Sequence, residues 1–202
     1  TPKASRDIDM SEYTLCKVAL RVSYIGTHYQ GFASQSPNPH PHPSALLMNT
    51  VEDHLFRAIY KCRLGKVGGL EWSRAGRTDA GVHGVGQVVC ALLRVTSRKD
   101  SDCYDVDFGR ALNPQLPTDI RVTGWTVVDN TFDARFKCTW RQYKYFFCHV
   151  GLDLQGMQAA CEKLIGEHDF RNFCRKDPSK TITNYNRRLL ECKIEYVDDT
   201  TS

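Results

Sequence analysis

The apolar run from Val88 to Leu93 constrains the fold of this chain more than any other feature. It is far short of the ~20 residues that a bilayer span needs. Across residues 85–95, VGQVVCALLRV, the character is nearly continuously apolar, so both faces of the segment need cover. That predicts a strand buried on both sides, with structure packed above and below it. A chain of 202 residues, 41% hydrophobic and 25% charged, is large enough to supply those layers, as one large domain or two small ones sharing a core.

The remaining elements follow from local pattern. Residues 1–13 are polar and read as a disordered lead without a signal-peptide core. Residues 15–24, LCKVALRVSY, alternate as a half-buried strand does. Residues 36–44, SPNPHPHPS, are loop, because four prolines exclude helix and central strand. Thr50 is a candidate N-cap, and Val51, Leu55, Ile59 and Cys62 follow at helical spacing, so 50–62 is predicted helical. A Gly-rich break spans 65–70, and a short helix is expected near 105–112. Strands are expected at 120–128, 139–149 and 187–197, and a helix at 154–165. His168 and Asp169 read as the opening of a short helix, with Asp169 as its cap. The mixture implies an α+β fold rather than a strict βαβ array.

Composition excludes some functions. Nine cysteines, an odd number with no C-x-x-C spacing, suggest neither a disulfide framework nor a zinc site, and thiols used this way suit a reducing compartment. Cys90 lies within the apolar run and is expected in the core. His40 and His42 in the proline loop make a poor metal site by themselves. No Walker A or G-x-G-x-x-G signature suggests a nucleotide cofactor. The net charge of +4 permits a polyanionic partner without requiring one.

Chemistry concentrates in Gly76-Arg77-Thr78-Asp79-Ala80-Gly81-Val82-His83-Gly84, directly before the apolar strand. A carboxylate on a tight loop beside a rigid strand is well placed for catalysis. Composition alone favours a turn whose Asp caps amides and whose Arg meets a surface acid.

Other segments decide between these readings. Tyr24-Ile25-Gly26, Tyr29-Gln30-Gly31-Phe32-Ala33-Ser34-Gln35, Gln87, Ala111-Leu112-Asn113 with Leu116-Pro117 and Asp119-Ile120, Phe132-Asp133-Ala134-Arg135-Phe136, Arg141-Gln142-Tyr143-Lys144-Tyr145, and Gly166 to Cys174 occur in a fixed order. With the Asp79 loop they resemble the TruA family of tRNA pseudouridine synthases over roughly residues 15–197. The forms GFASQ and GEHDFRNFC are similar to the eukaryotic branch, which acts on positions 38 and 39 of the anticodon arm.

The resemblance implies a pseudouridine synthase fold, a mixed, largely antiparallel sheet with flanking helices. It implies isomerisation of uridine in tRNA, with no cofactor, by a protein that forms homodimers and works inside the cell, in nucleus or cytoplasm. Asp79 corresponds to the family's essential aspartate, as nucleophile at C1′ or C6 or as base at the 2′ carbon. Arg77 is placed either to hold Asp79 ionised or to touch a phosphate. Tyr143 corresponds to the tyrosine that stacks on the target uracil, with Tyr145 and Phe147 on the same strand face. Arg135, Arg141, Lys144, Arg171, Arg175, Lys176 and His83 are candidate RNA contacts.

The same resemblance divides the catalytic domain into an N-terminal half, 14–107, and a C-terminal half, 108–202, with the latter expected to be truncated. Family members continue past 187–197, and the connection at 149–154 is short for the family. An RNA-binding piece without turnover is therefore the alternative. A hydrolase built on Ser73 and His83 has no accompanying triad pattern.

Overall fold

The computed structural model describes residues 10–36, 48–96, 104–174 and 183–197. The proline loop with His40 and His42, and the candidates Arg175 and Lys176, fall largely or wholly outside these, as does most of the lead. Of the lead, Met10–Glu12 form a 3-10 turn. Contacts divide the chain into two units, Thr1–Arg141 and Gln142–Ser202.

The first unit is built on four antiparallel strands in the order β2-β3-β1-β4. These are β1 (Leu15–Tyr24), β2 (Ser73–Arg74), β3 (Gly84–Arg94) and β4 (Ile120–Val127). Strand β1 alternates as its sequence predicts, with Val18, Leu20, Val22 and Tyr24 buried on one face. Helix α1 (Val51–Lys61) contributes Leu55, Phe56 and Ile59 to the same core, and α2 (Phe108–Leu112) contributes Phe108 and Leu112. Each such large apolar side chain stabilises the fold by about 1.5–3 kcal/mol. Thr50 caps α1 by accepting the Asp53 N–H, as the pattern predicts.

Strand β3 is covered on both faces, as its composition requires. Val89, Ala91 and Leu93 join the main core, while Cys90 joins a second cluster with Ala75 and Ala134. The second cluster is closed by α3 (Ala134–Lys137), whose cap Asp133 accepts the Arg135 and Phe136 N–H groups. The Ser73 hydroxyl accepts the Ala134 N–H, so the residue that a hydrolase would use as nucleophile docks α3 instead.

The second unit holds α4 (Leu154–Leu164) and a two-stranded antiparallel sheet of β5 (Gly166–Asp169) and β6 (Asn186–Leu189). Three expectations are corrected here. Residues 139–149 form no strand, and Tyr143 and Tyr145 are 81% and 88% exposed. An extended segment becomes a strand only by sharing a hydrogen-bond ladder, and none of the described strands pairs with this one. The last strand ends at Leu189 for the same reason, although Cys192 and Ile194 still alternate with exposed neighbours. His168 and Asp169 belong to β5 rather than opening a helix. Asp169 nonetheless accepts the Arg171 N–H at the start of a 3-10 turn, Arg171–Phe173.

Candidate active site

The loop between β2 and β3 carries Arg77, Asp79 and His83, and its backbone is held along most of its length. At its start, the Arg141 guanidinium donates to the Ala75 carbonyl. The Gln87 side-chain amide donates to the Gly76 carbonyl at 2.6 Å. The Phe32 N–H donates to the Thr78 carbonyl at 3.0 Å, and the Thr78 and Tyr24 hydroxyls lie 2.8 Å apart. Past Asp79, the Gly81 N–H donates to the Tyr29 carbonyl, and the Val82 N–H returns to the Asp79 carbonyl, closing a four-residue turn. Gly81 stands at the third position of that turn with φ +80°, a conformation that strains other residues.

Residues 24–32 form the opposing wall. The Gly26 N–H donates to His83 Nδ1 at 3.1 Å, which assigns that nitrogen as an acceptor. A Cβ at Gly26 would stand 1.9 Å from the Val82 carbonyl oxygen, so only glycine lets the two segments approach this closely. The wall is itself braced. Ile25 donates to the Asp119 carbonyl, and the Tyr29 hydroxyl donates to Asp119 Oδ1 at 2.5 Å. Burial, reinforced by the Asp119 carboxylate, raises the Tyr29 pKa well above the usual phenol range.

Beneath the wall lies a buried carboxylate. Glu52, fully buried at the start of α1, accepts from Trp72 Nε1 at 2.7 Å and from the Ser34 N–H at 2.8 Å, and lies 2.5 Å from Arg74 Nε. It joins the 31–34 segment to β2, the strand that leads into the Asp79 loop. Burial pushes its carboxyl above the ordinary range, and Arg74 opposes that shift. Sequence reading missed Glu52, although a signal was present. Leu55, Phe56 and Ile59 follow it at i+3, i+4 and i+7, which places the carboxylate on the apolar stripe of the helix.

Against this braced backbone, Asp79 itself is exposed, and its carboxylate has no hydrogen-bond or ion-pair partner among the described residues. Arg77 is exposed as well and forms no ion pair with Asp79. Arg135 is exposed and lies over the Phe136 ring at 5.6 Å. Arg141 is engaged with Ala75, and His83 with Gly26. In the second unit, Tyr143 and Lys144 are exposed. Arg171 there is paired with Asp169 through Nε and Nη2, which lowers the Asp169 pKa. No group of three or more potential metal-ligating side chains occurs among the described residues.

Comparison with known proteins adds to this geometry. A family described as tRNA pseudouridine synthase matches residues 160–202. A tRNA pseudouridine(38/39) synthase of Mus musculus is 38% identical over 96% of this chain and 42% of its own length. One from Saccharomyces cerevisiae is 36% identical over 98% of this chain and 46% of its own length. A tRNA pseudouridine synthase A of Methanosarcina mazei is 34% identical over 86% of this chain and 58% of its own length. The chain thus spans less than half the length of these two eukaryotic relatives.

Proposed function

We infer that the chain belongs to the TruA-type tRNA pseudouridine synthase family, and that it converts uridine to pseudouridine in the anticodon arm of tRNA, at positions 38 and 39. The N1–C1′ bond of the nucleotide breaks, the base turns, a C5–C1′ bond forms, the C5 hydrogen leaves as a proton, and N1 takes up a proton. No electrons are gained or lost, so the chemistry calls for no redox cofactor.

One observation carries the assignment of Asp79. Its carboxylate is exposed and unpaired among the described residues, while Thr78 before it and Gly81 two residues after it are hydrogen-bonded to the wall. A carboxylate held this way is open to the sugar of an extruded nucleotide, where it acts as nucleophile at C1′ or C6 or as base at C2′. Arg77, free of ion pairs among the described residues, is available to a phosphate beside that nucleotide or to the carboxylate itself. Tyr143 presents an exposed ring for stacking on the base. Arg135 and Lys144 are exposed cations for the tRNA backbone. Arg141, His83 and Arg171 belong to the same set of proposed RNA contacts and also have partners within the chain.

The pseudouridine synthase fold, the homodimer, the intracellular location and the two halves 14–107 and 108–202 belong to the same proposal. What supports the fold is an antiparallel sheet with few helices.

The test is tritium release from tRNA labelled at uridine C5, because bond formation at C5 expels that hydrogen. Release by the native protein and none by Asp79→Ala is expected. Binding of tRNA without release would favour an RNA-binding role instead.

A further inference from the structure

The exposed Asp79 carboxylate makes no hydrogen bond of its own among the described residues. Its position is therefore set by the backbone from which it projects. The residue before it is held twice, through its carbonyl by the Phe32 N–H and through its hydroxyl by Tyr24. Tyr24 is the last residue of β1 and only 4% exposed. Its ring lies 5.5 Å from that of Phe32, which is fully buried. A phenol locked in a core is a rigid post, unlike a surface side chain that reorients at little cost. Phenylalanine in its place would fill the same space, so packing alone does not call for the hydroxyl. What the oxygen adds is a bond to Thr78 across 54 residues of sequence.

We infer that Tyr24 is a positioning residue for Asp79: its buried hydroxyl, bonded to the Thr78 hydroxyl, sets the peptide plane from which the carboxylate reaches the nucleotide. The inference rests on the proposed synthase reading and adds a residue to it. Small errors in the placement of a catalytic group carry large rate penalties. Burial raises the Tyr24 pKa, so the phenol keeps its proton and the hydroxyl pair stays intact at neutral pH.

The experiment compares Tyr24→Phe, Thr78→Val and the double variant with the native full-length protein. Tritium release from C5-labelled tRNA gives kcat and KM, thermal melting gives stability, and amide hydrogen exchange is followed at Gly81 and Val82. Either single variant is expected to lower kcat about tenfold, the rate equivalent of one hydrogen bond. KM for tRNA and Tm should change little, and the double variant should be no slower than either single one, because both remove the same bond. Amide exchange at Gly81 and Val82 should quicken by a similar factor. An unchanged kcat in Tyr24→Phe, a loss confined to KM or Tm, or losses that multiply in the double variant would overturn the inference. Should the native protein release no tritium, the synthase reading fails by itself. The exchange rates then decide whether Tyr24 holds the loop: faster exchange in Tyr24→Phe supports it, and unchanged exchange overturns it.

Discussion

Gln87 donates its side-chain amide to the main-chain carbonyl of Gly76 at 2.6 Å, so β3 is tied back to the loop from which it emerges. Removing the donor leaves a partly buried carbonyl without that partner, at a cost of about 1–3 kcal/mol. Gln87→Ala should therefore destabilise the protein by that amount in urea denaturation. It should also slow turnover beyond what the lost stability explains, since the loop entrance loosens. Retention of full turnover would show that the bond is purely structural.

Asp79 presents the opposite case. Its carboxylate is exposed and unpaired among the described residues, so Asp79→Asn should change stability by less than about 0.5 kcal/mol. The same variant should abolish tritium release, because a neutral amide is neither nucleophile nor base. A melting curve and a release assay on one preparation separate the two effects. Substantial residual release would move the chemistry to another group.

Glu52 and Arg74 form a pair in which the carboxylate is fully buried. Glu52→Gln leaves the guanidinium beside a neutral group, and about 3 kcal/mol of stability should be lost. Adding Arg74→Met removes the stranded charge and should recover part of that loss. Chemical denaturation of the two single variants and the double variant checks this through their coupling. Additive losses would mean that the pair contributes nothing as a pair.

Gly26 leaves no room for a side chain against the Val82 carbonyl. Gly26→Ala should cost about 1–3 kcal/mol as the wall and the loop are forced apart. Turnover should fall further than stability, because the displaced segment lies three residues beyond Asp79. Thermal melting with kinetics at a temperature where the variant remains folded tests both parts.

His54 supplies a pH dependence. Its Nε2 hydrogen-bonds Asn49 Oδ1 at 2.7 Å, and its ring edge meets Tyr29. Burial, helped by Arg57, holds its pKa below the ordinary 6.5, against the opposing pull of Asp53 and Asp119. The unfolded chain thus takes up a proton before the folded one does. The contribution of His54 is complete above pH 6.5 and is lost as pH falls through the lower folded value. Urea midpoints should decline on acidification below pH 6.5, and His54→Gln should flatten that slope.

Much of the fold was legible because its signals are local. The alternation in β1, the helical spacing behind Thr50 and the unbroken apolar run of β3 each report burial within a few residues of sequence. The three missed elements failed for one shared reason. Residues 139–149, the stretch beyond Leu189 and the His168–Asp169 pair depend on whether a partner strand stands beside them, and no local pattern encodes a partner.

The candidate site divides along the same line. Residue pattern puts Asp79 on a Gly-rich loop before a buried strand, and the ordered motifs point to a family of tRNA-modifying enzymes. What holds that loop emerges only in the folded chain, with Tyr24 on Thr78, Gly26 on His83, Tyr29 on Gly81 and Arg141 on Ala75. The fold also showed Arg141 holding the start of the loop, and it revealed Glu52. These bonds join residues about 50 or more positions apart, and a hydrogen bond needs its two atoms near 3 Å with correct alignment. Residue type states what each group can donate or accept, while the path of the chain selects the partner it meets.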